Sequence, residues 1–384
     1  MGDVRMDFRI ERGALAEAVA WAARSLPSRS PVPVLGGLML DAAEGRLRIS
    51  GFDYEASATI EVPAETLTAG RVLVLGRRLL GICRVLPDAM VACALEGTRF
   101  TMEGGGTRFG LSTLPMQEYP ALPELPAFCG TLDAAEFAAG VTQVVIAAGR
   151  DDFLPVLTGI QIRLDGESMT LAATDRYRYA VRVVPWKPEG AVSDAVEVVV
   201  PGRRLTEISR ALAKSGLIRI GVSGTGGSGG GLIAFEGTGM CTTLRLLEGR
   251  LPRYDKLFTL DRPAVAVTER EALADAVRRV AVVAEPNSPI RLDFSVQGTV
   301  LLQAGYEDDI ASQQLAATLA NADDLAVAFN PAYLLEALNS FNASQVRFEL
   351  LGPGQRALLS GVPDEDDLAR EDHRHLLISV RQLS

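Results

Sequence analysis

Histidine is almost missing from this 384-residue chain, with His373 and His375 the only two. Cysteine is nearly as scarce. Cys83, Cys93, Cys129 and Cys241 are scattered, and no pair has the spacing of a zinc site or a thiol redox motif. The cysteines stand in apolar settings, which fits small buried side chains in a reducing compartment better than chemistry. With no further ligands near the two histidines, metal binding is not expected. No apolar run approaches the ~18–20 residues that a membrane-spanning helix needs, so no membrane association is expected. The opening MGDVRMDFRIERG lacks an apolar core followed by a cleavage site, which argues against secretion and for a cytoplasmic protein. Positive charge is in deficit, with 38 Lys and Arg against 48 Asp and Glu and a net charge of −10. That argues against a protein coated by nucleic acid but allows a local basic surface, because the field depends on where the charges lie.

What is present is a globular composition, 48% hydrophobic and 22% charged, over a length that suits two or three domains. One plan is used three times. In its first use a strand from Met6 leads to a helix with Leu15, Ala18, Val19 and Ala22 at helical spacing. Pro33-Val34-Leu35-Gly36-Gly37 and a hairpin follow. The strand Arg71 to Leu75 then runs into a second helix with Leu79, Ile82, Cys83 and Leu86 on one face and Pro87 ending it. The order recurs from Thr131, where Pro155-Val156-Leu157-Thr158-Gly159 mirrors the first proline turn. The hairpin of Gly159 to Val184 turns at Asp165-Gly166. Val198-Val199-Val200-Pro201-Gly202-Arg203-Arg204-Leu205 repeats the strand-to-helix passage of residues 72–79. A more divergent third copy spans Ala264 to Val283, a hairpin at Ile290 to Ala304, and a helix after Asn330-Pro331. Three units of about 125 residues, each with two helices among roughly eight strands, predict an α+β fold of three similar domains. The expected divisions are 1–128, 129–258 and 259–384, with linkers near 125–130 and 258–263.

Two decoys can be set aside. Gly221 to Gly231 is glycine-rich, but it leads into the strand-like Leu232-Ile233-Ala234-Phe235 and lacks the Gly-Lys-Ser/Thr that opens a phosphate-binding helix. The acidic run Asp364 to Asp367 lacks the interleaved spacing of a calcium loop. No nucleophile elbow and no histidine-based dyad appears. An enzyme on this scaffold would have only Asp175 and its neighbouring arginines to work with. Basic helices remain. Arg77, Arg78 and Arg84 lie on the second helix of copy one, and Arg203, Arg204, Arg210 and Lys214 on that of copy two. Positive charge gathered on equivalent helices of an acidic protein suits a polyanion held through its phosphates without sequence reading.

Several stretches, taken together and in order, resemble the bacterial DNA polymerase III β subunit, the sliding clamp, over essentially the whole chain. They are Gly76-Arg77-Arg78-Leu79-Leu80-Gly81-Ile82-Cys83-Arg84-Val85-Leu86-Pro87, Phe109 to Pro115 with Tyr119-Pro120, Ala173-Thr174-Asp175-Arg176-Tyr177-Arg178, Glu248 to Tyr254, and Phe329 to Leu335. The resemblance implies a DNA-clamp fold and a head-to-tail homodimer whose six domains ring double-stranded DNA. It implies a non-catalytic processivity factor without cofactor or metal. Its partners would be the DNA polymerase III alpha subunit, other polymerases and the clamp loader. Arg29, Arg77, Arg78, Arg203 and Arg204 would face DNA, with Arg210 and Lys214 alongside. Phe109 and Leu111 would meet Val282 and Val283 across the dimer seam. A pocket for short partner peptides would use Leu157, Thr174, Arg176, Tyr177, Arg178, Tyr179, Pro252, Leu257, Asn330, Tyr333, Ile378, Ser379, Val380 and Arg381. The chain departs from the resemblance at its tail, Ile378-Ser379-Val380-Arg381, where Met-Pro-Val-Arg or Met-Pro-Met-Arg is usual, and at Tyr179, where Leu is usual. The clustering of these departures predicts a variant clamp, such as a second copy, whose pocket treats small inhibitors differently.

Overall fold

A computed structural model describes residues 5–27, 32–151, 153–190, 195–224, 230–285, 288–306, 309–363 and 372–381. Among the described residues the α-helices are α1 (Arg12–Ala22), α2 (Gly76–Val85), α3 (Ala134–Val145), α4 (Gly202–Leu212), α5 (Arg270–Val280) and α6 (Pro331–Ser340). They fall two to each copy of the expected plan. The local causes are legible in the sequence. α2 buries Leu79 and Cys83 and stops before Pro87. α6 starts at Pro331, whose missing N–H costs nothing in a first turn, and Asn330 Oδ1 caps it by accepting from the N–H groups of Ala332 (2.9 Å) and Tyr333 (3.3 Å).

The chain forms two compact units. One comprises Met1–Ala135, Lys187–Ala191 and Arg210–Leu246. It holds a five-stranded antiparallel sheet and a nine-stranded one. In the nine-stranded sheet the strands Ala56–Pro63 and Met240–Arg245 pair, Met240 opposite Ile60, so copy two closes an edge left by copy one. Thr107–Ser112 ends the five-stranded sheet.

The other unit comprises Glu136–Trp186, Val192–Ser209 and Leu247–Ser384 and is built on a twelve-stranded sheet. The same closure recurs there. Arg178–Pro185 of copy two pairs antiparallel with His373–Ile378 of copy three, Arg178 opposite Leu377 and Arg182 opposite His373. The core of the third copy packs Leu273 and Val277 of α5 and Leu334 and Leu338 of α6 against Phe294, Phe329 and Phe348 of the sheet. Burying such side chains contributes about 2 kcal/mol each.

Two local expectations change, and two short strands are added. The hairpin foreseen at Ile290 to Ala304 continues to Tyr306 and returns as the twelve-residue strand Asp309–Ala320, whose polar outer positions hid its length. The linker expected near 125–130 is shorter, because Phe128 already opens a strand. The short strands Glu65–Thr68 and Lys187–Pro188 carry no alternating pattern and were not foreseen. Residues 217–223 and 232–237 do pair as the two arms of a hairpin, although much of its glycine-rich connection, like the run Asp364 to Asp367, lies outside the described residues.

Candidate functional site

The stretch Ala173 to Tyr179 makes a tight turn between two strands, and its own side chains satisfy the turn. Thr174 Oγ1 donates to the Arg178 carbonyl (2.6 Å) and accepts from the Arg176 N–H (3.2 Å). Asp175 Oδ1 accepts from the N–H groups of Tyr177 (3.0 Å) and Arg178 (3.1 Å), the local bonding that suits aspartate to turns. Asp175 Oδ2 accepts from Arg178 Nε at 3.0 Å. Asp175 is thus occupied as a turn and ion-pair residue, and the geometry gives no support to a catalytic role for it.

The Arg178 side chain is 3% exposed, and burying an unpaired guanidinium would be costly. Its charge is met from two sides, by Asp175 and by Glu336 of α6. The guanidinium also lies 4.3 Å from the centroid of the Tyr333 ring. Glu336 receives a second arginine, Arg150, at 3.2 Å. Tyr177 stacks on Tyr333 with ring centroids 6.4 Å apart. Together these residues frame an open cavity of about 710 Å³, within the size range of ligand pockets. Ala148, Leu154, Leu157 and Ala332 supply much of its apolar lining, and Arg150, Asp151, Asp175, Arg176 and Glu336 its polar rim.

Of the fourteen residues expected in a peptide pocket, Leu157, Arg176, Tyr177, Arg178 and Tyr333 line this cavity. Asn330 caps the helix that carries Tyr333. Thr174 is buried in the turn beneath. The tail runs alongside, with the Ile378 N–H donating to the Tyr177 carbonyl and the Val380 N–H to the Ala328 carbonyl. Ile378, Val380 and Arg381 are exposed, and Ser379 between them is buried against Gly352 and Gln355. Tyr179 and Leu257 belong to a separate apolar cluster with Tyr254, Phe258 and Leu376. Tyr179 is 2% exposed, and its hydroxyl donates to the Pro252 carbonyl at 3.0 Å. Burial pushes its phenol pKa up. Reasoning from sequence missed Arg150, Asp151, Leu154 and Glu336. For Glu336 a signal existed, since it stands three residues after Tyr333 and so on the same helical face.

The other expected residues lie elsewhere. Arg77 and Arg78 are exposed on α2, opposite its buried Leu79 and Cys83, and Arg77 donates to the Pro27 carbonyl at 2.8 Å. On α4 the Arg203 side chain is 93% exposed and pairs with Glu207, Arg204 is half-buried, and Arg210 and the following Lys214 are exposed. Arg29 lies outside the described residues. On the edge strand Thr107–Ser112, Phe109 is half-buried and Leu111 buried. Val282, in the turn after α5, is 80% exposed, with Val283 half-buried beside it.

Three family models match the chain: DNA polymerase III beta subunit, N-terminal domain over residues 6–123, central domain over 131–253, and C-terminal domain over 256–370. The chain is 48% identical to the beta sliding clamp of Streptomyces coelicolor, covering 98% of this chain and 99% of that one. It is 40% identical, over the same shares, to the beta sliding clamp homolog GriR of Streptomyces muensis. Among solved structures, the Pseudomonas aeruginosa DNA polymerase III subunit beta superimposes with a TM-score of 0.88 at 26% identity, covering 98% of this chain and 100% of that one. A clamp from the same organism solved bound to griselimycin gives 0.88 at 25% identity over the same shares. The chain belongs to the bacterial DNA polymerase III beta subunit family, the sliding clamps.

Proposed function

We propose that the cavity framed by Tyr177, Tyr333, Leu157 and Arg178 is the site at which this chain captures short linear peptides of its replication partners. Members of the family, this chain among them, are non-catalytic processivity factors, ring-shaped homodimers that encircle DNA and tether polymerases and the clamp loader. One observation carries the reading: an open groove with an apolar lining, two stacked tyrosines and a few polar anchors, which is the chemistry an extended peptide with one or two large side chains requires. The exposed Ile378 and Val380 of the tail extend its apolar surface. Arg29, Arg77, Arg78, Arg203, Arg204, Arg210 and Lys214 would contact DNA phosphates, and Phe109 and Leu111 would meet Val282 and Val283 of a second copy. Domain divisions at 128/129 and 258/259 and a cytoplasmic location complete the reading. Among the described residues no helix is long and apolar enough to cross a membrane.

The same reading makes this a specialised variant, in which a filled Tyr179 region and an altered tail change the handling of small pocket-binding inhibitors. A related clamp has been solved with griselimycin, which supplies the probe. Equal griselimycin affinities for this chain and for a clamp with the usual Met-Pro-Val-Arg or Met-Pro-Met-Arg tail would sink the variant idea. Light scattering coupled to size exclusion, with titration of a Gln-Leu-x-Leu-Phe peptide, tests the main one. The expected result is a dimer that binds the peptide, and Tyr177→Ala or Tyr333→Ala weakening the peptide while the dimer persists. A monomer indifferent to the peptide would refute it.

A further inference from the structure

We infer that Arg176 is a specificity-determining anchor that selects ligands carrying a carboxylate beside their apolar side chains. The inference rests on the peptide-pocket reading above and deepens it. Six non-glycine residues among those described adopt positive φ, and Arg176, at +80°, is the one in the wall of the open cavity. Glycine takes that conformation without steric cost, whereas a side chain there is strained. The turn holds the strained residue firmly, through Thr174 Oγ1 on the Arg176 N–H and Asp175 Oδ1 on the next two. Strain of this kind, in a cavity wall, points from an observed outlier towards function.

The charges around the cavity give that function a sign. Arg178 is neutralised by Asp175 and Glu336, and Glu336 also receives Arg150. Asp151 is turned to its own backbone, accepting from the Phe153 N–H at 3.1 Å. Asp175 and Glu336 are therefore ion-paired and Asp151 is held by a backbone N–H, so that in a lining of three arginines and three carboxylates Arg176 is the cation without an ion pair among the described residues. Arg176 is exposed and its guanidinium has no ion pair or hydrogen bond among the described residues. A planar cation left over at the mouth of an apolar groove recognises a carboxylate, with two parallel N–H bonds available to it.

The test uses the full-length protein and two end-blocked pentapeptides, Gln-Leu-Ser-Leu-Phe and Gln-Leu-Asp-Leu-Phe, titrated at low and high salt. The unaltered protein should prefer the aspartate peptide by about five-fold at low salt, and the preference should shrink as salt screens the rim. Arg176→Gly should weaken the aspartate peptide more than the serine peptide, so that the ratio of their affinities falls to about one. Its melting temperature should not fall, since glycine suits the backbone. Arg176→Lys should keep part of the preference, which separates a charge effect from altered turn geometry. An equal loss of both peptides in Arg176→Gly, or a preference that survives it, would overturn the inference. If the unaltered protein binds neither peptide, the pocket reading falls and this inference with it.

Discussion

The strand Arg178–Pro185 has two faces that carry opposite chemistry. On one, Arg178 meets Asp175, Glu336 and the ring of Tyr333 beneath an open cavity. His375, opposite Ala180 on the neighbouring strand, lies on the same side. On the other, Tyr179 and Val181 pack with Phe258, Leu358 and Leu376 in an apolar cluster. Tyr177 and Tyr179 stand two residues apart, yet the first is 63% exposed and the second 2%. One tyrosine is therefore open at the cavity, while the other is enclosed in an apolar cluster. The difference shows that a site read from neighbouring residues can belong to two structures at once.

The largest effect should come from emptying the closed face. The ring of Tyr179 lies 5.9 Å from that of Phe258, edge-on, and 6.0 Å from that of Tyr254. Tyr179→Ala removes those contacts and leaves a cavity, at a cost of about 3–5 kcal/mol. Tyr177→Ala should cost well under about 1 kcal/mol, as exposed positions do, yet abolish most peptide binding. Urea unfolding and peptide titration of the two variants make the comparison directly. Similar stability losses in both would erase the distinction between the faces.

How much of this was legible beforehand follows from the range of the forces involved. Helices such as α2 and the hairpin at Asp165-Gly166 were plain, because spacing, proline and turn chemistry act over a few residues. The threefold plan and the family likeness were plain for the same reason. The division between Tyr177 and Tyr179 was not. Alternation would put both on one face, but Tyr177 precedes the strand and sits in a turn set by Asp175 and the positive φ of Arg176. Nor does any local pattern bring Glu336 of α6 to Arg178 and Arg150, since those meetings depend on tertiary packing across more than 150 residues of chain.

A second, smaller effect should appear on the helix-facing side alone, as acid sensitivity. His373 Nδ1–H donates to the Val181 carbonyl at 3.1 Å, and its Nε2 lies 2.8 Å from Ser340 Oγ. His375 is fully buried with neither ring nitrogen partnered among the described residues. Burial lowers the His373 pKa from 6.5 to about 4. It pushes His375 well below its ordinary value, helped by His373 and Arg178. The unfolded chain therefore binds more protons than the folded one between pH 6.5 and about 4. Stability is intact above that window and falls as pH drops through it, by about 3 kcal/mol for His373 alone. Melting temperatures across that range should decline, and His375→Leu should flatten the decline. Matching slopes with and without His375 would show that it contributes nothing to the decline and leave His373 as its source.

The smallest effect sharpens the comparison most, because it changes one atom. Tyr179→Phe keeps the ring in its cluster and removes only the hydroxyl that donates to the Pro252 carbonyl. A buried neutral hydrogen bond of this kind contributes about 1 kcal/mol, and the variant should be destabilised by that amount. Because Tyr179 does not line the open cavity, peptide affinity should stay within about two-fold of the unaltered protein, the change expected when an altered group touches neither ligand nor its immediate partners. A larger change in affinity, in either direction, would mean that the hydroxyl positions the groove from behind. The closed face would then be part of the binding site, and the two faces of the strand a single device.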